Sequence, residues 1–135
     1  MLDKSLVYKN IIMRLEKEKL ERPIEAPLPD GFSFKLFTPE DIGHWAGIET
    51  SVLEFNSERE ACDYFKMAYM PHLQDLQNRC LFIVAPDGIP IATTTAWYAD
   101  SELGYQANLH WVAVRPEYQG GGFGMAVVKK ALQLF

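Results

Sequence analysis

The sequence has few of the features that mark secreted, membrane-spanning and metal-binding proteins. Its 135 residues include two cysteines, Cys62 and Cys80. Cysteines so far apart, with no histidine pattern near them, predict neither a disulfide framework nor a metal site and indicate a reducing compartment. Residues 1–20 are too charged for a secretory signal, and no apolar run approaches the roughly 20 residues of a transmembrane helix. We therefore expect a cytoplasmic protein with no metal and no membrane partner.

Positive charge is also scarce. The chain carries 13 Lys and Arg against 18 Asp and Glu, which gives a net charge of −5 and a pI near 5.1. An acidic surface does not attract nucleic acid or an anionic membrane, so we expect neither as the main partner. What the chain does have is apolar residues, at 48% of the total. Together with its length, this predicts a single core that buries roughly two-thirds of the unfolded surface.

Hydrophobic periodicity predicts one main domain preceded by a separate segment. Residues 1–31 are interpreted as an N-terminal helix, over Tyr8–Leu20, followed by a proline-rich linker from Arg22. Residues 32–135 form the domain, in the order strand, helix, helix, strand, strand, strand, helix. The predicted spans are Phe32–Phe37, Thr38–Ser51, Glu58–Leu76 with a bend at Pro71, Cys80–Ala85, Ile89–Trp97, Tyr105–Val114 after a polar connection over Tyr98–Gly104, and a helix from Met125.

The most informative stretch is a strand, a glycine loop and a helix near the end of the chain. Leu109–Val114 is aromatic and β-branched, Pro116 ends the strand, and four glycines fall between Gln119 and Met125. The first N–H groups of a helix have no partners within it, and the helix dipole is positive there. The unit therefore predicts an anion site suited to a phosphate. Neither the Rossmann fingerprint nor the P-loop triplet is present.

What does match is Gln-x-x-Gly-x-Gly after a Val-Ala-Val strand. The stretch Val112-Ala113-Val114-Arg115-Pro116-Glu117-Tyr118-Gln119-Gly120-Gly121-Gly122-Phe123-Gly124 resembles the coenzyme A motif of the GCN5-related N-acetyltransferase superfamily. The resemblance implies an α/β (mixed α+β) fold with a mostly antiparallel central sheet flanked by helices. It also implies that the strand, helix and hairpin that follow the glycine-loop helix in this superfamily are lacking, so that the domain is incomplete at its C-terminal end. The Leu109–Val114 strand is then an open edge, and we expect it or the N-terminal helix to mediate any homo-oligomer.

The resemblance implies acetyl transfer from acetyl-CoA to a primary amine, by direct attack in a ternary complex. The acceptor is a small molecule or a peptide whose identity the sequence does not specify. By the same resemblance the glycine loop binds the pyrophosphate, the strand backbone pairs with the pantetheine arm, and an N–H near Ala113 polarises the thioester oxygen. The implied cofactor-binding residues are Val112, Ala113, Val114, Gln119, Gly120, Gly121, Gly122, Phe123, Gly124 and Met125.

Amine attack requires a base, and His110 is the candidate on the cofactor strand. In a regular strand Asn108, His110, Val112 and Val114 share one face, opposite Leu109, Trp111 and Ala113. An imidazole accepts a proton near neutral pH, and in the arylalkylamine branch of the superfamily an imidazole at this position has that task. Glu49 and Glu54 are alternatives, although both are interpreted first as solvated charges.

Two other functions remain open from the sequence alone. The same loop suits a non-catalytic coenzyme A-binding module. An edge strand and an N-terminal helix suit a dimerisation module in which the loop binds nothing.

Overall fold

The computed structural model describes residues 5–7, 9 and 12–135. Within them the chain forms four β-strands and four α-helices, together with short 3-10 turns. In chain order these are β1 (Ser33–Leu36), α1 (Ile42–Ser51), α2 (Glu58–Ala68), α3 (Leu73–Arg79), β2 (Cys80–Val84), β3 (Pro90–Ser101), β4 (Gly104–Val114) and α4 (Phe123–Leu132).

The strands form one antiparallel sheet in the order β1-β2-β3-β4, with helices on both faces. On one face α1, α2 and α3 bury a cluster that includes Trp45, Phe65 and Leu76 against the sheet. On the other face α4 buries Val127 and Ala131 among a second set of apolar side chains. The predicted fold class, a mostly antiparallel sheet flanked by helices, is therefore confirmed.

Local signals in the sequence account for most helix boundaries. A capping box joins Thr38 and Asp41, whose carboxylate accepts from the Thr38 backbone N–H at 2.8 Å. The Ser57 hydroxyl accepts from the Glu60 N–H at the start of α2. Proline at position 71 separates α2 from α3 through a 3-10 turn at Met70–His72, as the predicted bend requires.

The prediction that β3 ends at Trp97, with a polar connection over Tyr98–Gly104, is wrong. β3 continues to Ser101, and β4 begins at Gly104, so the two strands form a long hairpin. The tip of this hairpin, from Asp100 to Tyr105, is exposed, which hides the alternation that identifies a half-buried strand. Cross-strand stacking supports it, because the rings of Tyr98 and Tyr105 lie 5.6 Å apart and nearly parallel.

The predicted N-terminal helix is also wrong where the structure can test it. Residues 12–20 contain only the 3-10 turn Lys17–Lys19, and Ile12, Met13 and Leu15 are exposed. Tyr8, Asn10 and Ile11, which belong to the same prediction, lie outside the described residues. The apolar residues of this segment have no surface to pack on in the described chain, so amphipathic spacing does not stabilise a helix.

The predicted edge position of the cofactor strand is confirmed. In the described part of the chain β4 pairs with β3 alone, and Val112 is 47% exposed. No described helix is both long enough and apolar enough to cross a membrane. Cys80 lies in the core and Cys62 is half-buried on α2, the positions expected for a small core residue and a partly buried helical residue.

Candidate active site

The glycine loop leads directly into α4, and the space beside its backbone at Gly120 and Gly122 is unoccupied by protein atoms. Gly120 and Gly122 have φ of +82° and +83°, a left-handed conformation that favours glycine, and a Cβ at either would meet no atom within 4 Å. No side chain caps the helix, and its first turn carries no acidic residue. This is the arrangement that an anionic phosphate requires. The helix begins at Phe123 rather than at Met125, because Gly122 supplies the cap and Phe123 packs inward.

Side-chain hydrogen bonds hold the loop against the end of β4. Gln119 Nε2 donates to the Val114 carbonyl at 2.9 Å, so the side chain closes the loop onto the strand. Arg115 follows the strand and is itself fixed, since its backbone N–H donates to Ile91 at 2.8 Å and its Nε donates to the Pro90 carbonyl at 3.1 Å. The structure thus brings Val114, Gln119 and the start of α4 together.

A β-bulge interrupts β4 upstream of the loop. Thr93 pairs with Ala113 and Thr95 pairs with His110, so three steps along β4 oppose two steps along β3. Trp111 has a φ of +52°, a conformation rare for a large side chain. The hydroxyl of Thr94, within the bulge, donates to the His110 carbonyl at 3.1 Å. The bulge is therefore fixed by the neighbouring strand.

The bulge overturns the predicted sharing of faces along β4. Leu109 and Val114 both pack with the α4 cluster, although a regular strand would place them on opposite faces. Trp111 and Ala113 pack with the α1–α3 cluster, and His110 contacts Tyr69 on that same side. His110 therefore shares a face with Trp111 and not with Val114, because the extra residue shifts the alternation by one.

His110 is half-buried and hydrogen-bonded. Its Nδ1 lies 3.0 Å from the hydroxyl of Tyr69, which follows α2. Burial lowers the pKa of His110 below the ordinary value of 6.5, because the charged imidazolium is disfavoured away from water. Burial likewise raises the pKa of Tyr69, so the phenol stays neutral. At neutral pH the ring is an uncharged imidazole, and the roles of its two nitrogens depend on the tautomer.

The interpretation of Glu49 as a solvated charge is wrong. Glu49 is 1% exposed, and its Oε1 has no hydrogen-bond partner among the described residues. Burial, and secondarily the charge of Glu54, raise its pKa to about 8. Glu54 itself is exposed, as expected. Glu49 is therefore largely protonated at neutral pH.

Aromatic rings pack between α1 and β4, and one of them, Trp45, lies on the same face of α1 as Glu49. The Trp111 ring lies 5.7 Å from that of Trp45, 5.4 Å from that of Phe55 and 5.2 Å from that of Tyr64. Trp45 precedes Glu49 by one helical turn on the same face of α1. These contacts exclude water from the region between α1 and β4, which is the cause of the displaced pKa values.

Two features of the site were missed by sequence reasoning. Tyr69 lies within the predicted helix Glu58–Leu76, and nothing in its spacing identifies a partner 41 residues away. The burial of Glu49, in contrast, could have been predicted from the spacing of apolar residues in the sequence. Trp45, Ile48 and Glu49 fall at helical spacing on one face of α1, so a carboxyl there enters the core with its neighbours.

Among the described residues, no three His, Cys, Asp or Glu side chains are grouped so as to hold a metal ion. The groups at this site are an imidazole, a phenol, a neutral carboxyl and uncapped backbone N–H groups. Such a set can move protons and bind an anion.

Comparison with known proteins agrees with this arrangement. The profile of the acetyltransferase (GNAT) family matches residues 45–135. No curated protein matches the chain.

Solved structures with a similar fold include a GCN5-related N-acetyltransferase from Sphaerobacter thermophilus, at 22% identity and a TM-score of 0.59 over 80% of this chain and 33% of that one. A protein from Pyrococcus horikoshii assigned as an acetyltransferase has 20% identity and a TM-score of 0.64, over 82% and 36%. A GCN5-related glucosamine N-acetyltransferase region in a fungal multi-domain GH3 beta-N-acetylglucosaminidase has 16% identity and a TM-score of 0.57, over 78% and 12%.

This chain thus spans about a third of the length of the first two structures. Identities this low establish likeness of fold. The family profile covers more than half of the chain, from within α1 through α4, and includes the strand, the bulge and the glycine loop. The chain therefore belongs to the acetyltransferase (GNAT) family.

Proposed function

We propose that this chain binds acetyl-CoA and transfers the acetyl group to a primary amine by direct attack in a ternary complex. The observation that carries the proposal is the pairing of two features on one strand. An open loop with an uncapped helix start follows β4, and a half-buried neutral imidazole lies on β4. The first binds an anionic cosubstrate, and the second takes a proton.

Backbone groups bind the cosubstrate. The N–H groups of Gly120–Gly124 and the start of α4, which includes Met125, hold the pyrophosphate, because Gly120 and Gly122 adjoin open space and the helix start carries the positive end of the dipole. The N–H of Gln119, expected in the same role, instead donates to the Pro116 carbonyl at 3.2 Å. The free edge of β4 at Val112 and Val114 pairs with the amide-bearing pantetheine arm, and the N–H near Ala113 polarises the thioester oxygen.

His110 handles the proton of the acceptor. An alkylammonium with a pKa of about 10 is almost wholly protonated at neutral pH and cannot attack a carbonyl. His110 Nε2 accepts one of its protons and releases it to solvent, and the amine nitrogen then bonds to the acetyl carbon as the carbon–sulfur bond breaks. The second nitrogen proton goes to the departing thiolate. The products are an amide, free coenzyme A and one proton.

Turnover tests the role of His110. We expect acetyl-CoA and a panel of primary amines to release free thiol, and His110→Ala to lower kcat by roughly 10²–10⁴ because a positioned base contributes about that much. The dissociation constant for acetyl-CoA should be unchanged. His44→Ala, at an exposed histidine on α1, is the matched control and should retain activity. Equal losses in both variants, or none in either, would exclude His110 as the base.

Initial-rate kinetics test direct attack. With both substrates varied, double-reciprocal plots should intersect if a ternary complex forms. Parallel lines would indicate a covalent acetyl-enzyme and contradict the proposal.

A further inference from the structure

A cleft lies where the β3–β4 hairpin extends beyond the rest of the sheet. β2 begins at Cys80, which pairs with Thr95, so β3 continues to Ser101 without β2 beside it. α3 ends at Arg79, directly before β2, and its last turn borders this unpaired stretch of β3. The cleft has a volume of about 80 Å³. It is lined by Asp75, Arg79, Trp97, Tyr98 and Tyr105.

The cleft carries two opposite charges that are not paired with each other. Asp75 and Arg79 lie four residues apart on α3, a spacing at which an acid and a base can form an ion pair along a helix. The ion pairs found among the described residues include neither of them. Both charges are therefore left without an ionic partner in the described part of the chain.

A ring contact holds the guanidinium of Arg79. Its central carbon lies 4.5 Å from the centroid of the Tyr98 ring, a cation–π contact. The Tyr98 ring is itself fixed, since it stacks on that of Tyr105 at 5.6 Å and meets that of Phe135 edge-on at 5.4 Å. Nη1 of Arg79 is buried with no hydrogen-bond partner among the described residues. The ring does not replace hydrogen bonds, and the rigid N–H fork of a guanidinium matches a carboxylate.

Aromatic side chains line the cleft beside these charges. Tyr105 is 71% exposed, and Trp97 is half-buried. An exposed ring next to a charged cleft suits a ligand with an apolar part and a charged part. A volume of about 80 Å³ holds several water molecules, so the cleft accommodates a small charged head group and leaves a larger side chain outside it.

We propose that this cleft binds a free α-amino acid with an aromatic side chain. The α-carboxylate pairs with the guanidinium of Arg79, and the α-ammonium pairs with the carboxylate of Asp75. The aromatic side chain packs against Tyr105 outside the cleft. A free amino acid carries both charges on one carbon, whereas each end of a peptide carries only one of them, so the ligand is a free amino acid.

This ligand is not the acceptor of the proposed acetyl transfer, because Asp75 holds its ammonium. The ring of Trp97, which lines the cleft, lies 5.4 Å from that of Tyr69, whose hydroxyl is 3.0 Å from His110 Nδ1. Two aromatic residues thus link the cleft to the imidazole and keep the ligand from it. The inference goes beyond the proposed function and does not depend on it.

Titration of the full chain with L-phenylalanine, without acetyl-CoA, tests the proposal. The NMR signal of the Trp97 indole N–H, assigned by its loss in Trp97→Phe, should shift and saturate. L-phenylalaninamide lacks the carboxylate, and N-acetyl-L-phenylalanine lacks the ammonium. Each should bind roughly 10-fold or more weakly than phenylalanine, because a hydrogen bond to a charged group contributes about that factor.

Variants assign each charge to its side chain. Arg79→Gln should weaken the binding of phenylalanine and remove its advantage over the amide. Asp75→Asn should remove its advantage over the N-acetyl compound. The matched controls are Arg59→Gln and Asp63→Asn, at an exposed pair with the same spacing on α2, and both should bind phenylalanine as the wild type does.

A wild-type chain that shows no saturable shift would overturn the proposal, as would equal affinity for the three ligands. Binding that is unchanged in both Arg79→Gln and Asp75→Asn would place phenylalanine elsewhere and would also contradict it. His110→Ala should still bind phenylalanine, and a loss there would mean that the ligand occupies the proposed acetyl-transfer site instead. Should Arg79→Gln fail to fold, the comparison of the three ligands on the wild type decides the matter.

Discussion

At the residue scale, one environment displaces two pKa values in opposite directions. Burial disfavours charge, so it lowers the pKa of His110 and raises that of Glu49 to about 8. Both groups are consequently largely uncharged near pH 7. Oppositely displaced pairs of this kind are characteristic of catalytic sites.

The displaced pKa of Glu49 has a consequence for stability. Its ordinary value is 4.5 and its folded value is about 8, so between these pH values the folded chain binds one proton more than the unfolded chain. The free energy of unfolding should therefore fall as pH rises across this window, by up to about 1.4 kcal/mol per pH unit from this group. The contribution is fully present below the unfolded value and is lost as pH rises through the folded one.

Urea unfolding of the wild type and of Glu49→Gln across this window measures the effect. The glutamine variant, which cannot ionise, should show the smaller pH dependence. Equal slopes would mean that Glu49 is solvated in the folded chain and would contradict its burial.

At the element scale, a glycine at the start of α4 and a glycine within α1 should respond in opposite ways to substitution by alanine, because their backbone conformations differ. Gly122 is left-handed at the start of α4, whereas Gly43 lies in α1, where a Cβ would meet no atom within 4 Å. Gly122→Ala should destabilise the chain by about 1 kcal/mol or more. Gly43→Ala should stabilise it by roughly 0.5–1 kcal/mol, because alanine is the better helix former. Thermal unfolding measures both, and effects of the same sign would contradict the assigned loop geometry.

The elements themselves were largely predictable from the sequence, because capping residues, proline and apolar periodicity act locally. The geometry of the site was less predictable from the sequence. Gln119 and the glycines follow from the motif, but the bulge at Trp111 arises from pairing with Thr93 and Thr95 on another strand. A tryptophan in a sequence does not predict the positive φ that Trp111 adopts. The faces of β4, and hence the surroundings of His110, could be assigned only after the strands were paired.

At the scale of the whole molecule, the two cysteines report on the integrity of the core. Cys80 is fully buried in β2, and burial raises its thiol pKa to about 12, whereas Cys62 is half-buried on α2. A disulfide reagent should modify one thiol in the folded chain and both in denaturant. Cys62→Ser should remove the fast reaction, because the protonated Cys80 thiol is a poor nucleophile. Two fast thiols in the folded chain would mean that β2 is not protected.

The proposed anion site at the start of α4 depends on the packing of the whole chain, since it lies between the end of β4 and the helix that covers one face of the sheet. Two glycines provide a matched pair of variants. Gly120 and Gly88 have nearly the same positive φ, of +82° and +85°, and open space around them. Gly120 lies in the proposed phosphate loop, and Gly88 lies in the turn between β2 and β3.

The most direct measurement is the thermal unfolding midpoint with acetyl-CoA, with NAD as a control ligand. At a hundred times its dissociation constant, acetyl-CoA should stabilise the fold by about 2.7 kcal/mol and raise the midpoint by roughly 5–10 °C. Gly120→Asp, which introduces a carboxylate into the proposed pyrophosphate loop, should abolish the shift, and Gly88→Asp should keep it. A folded wild type that does not respond, or that responds equally to NAD, would contradict acetyl-CoA binding at this loop.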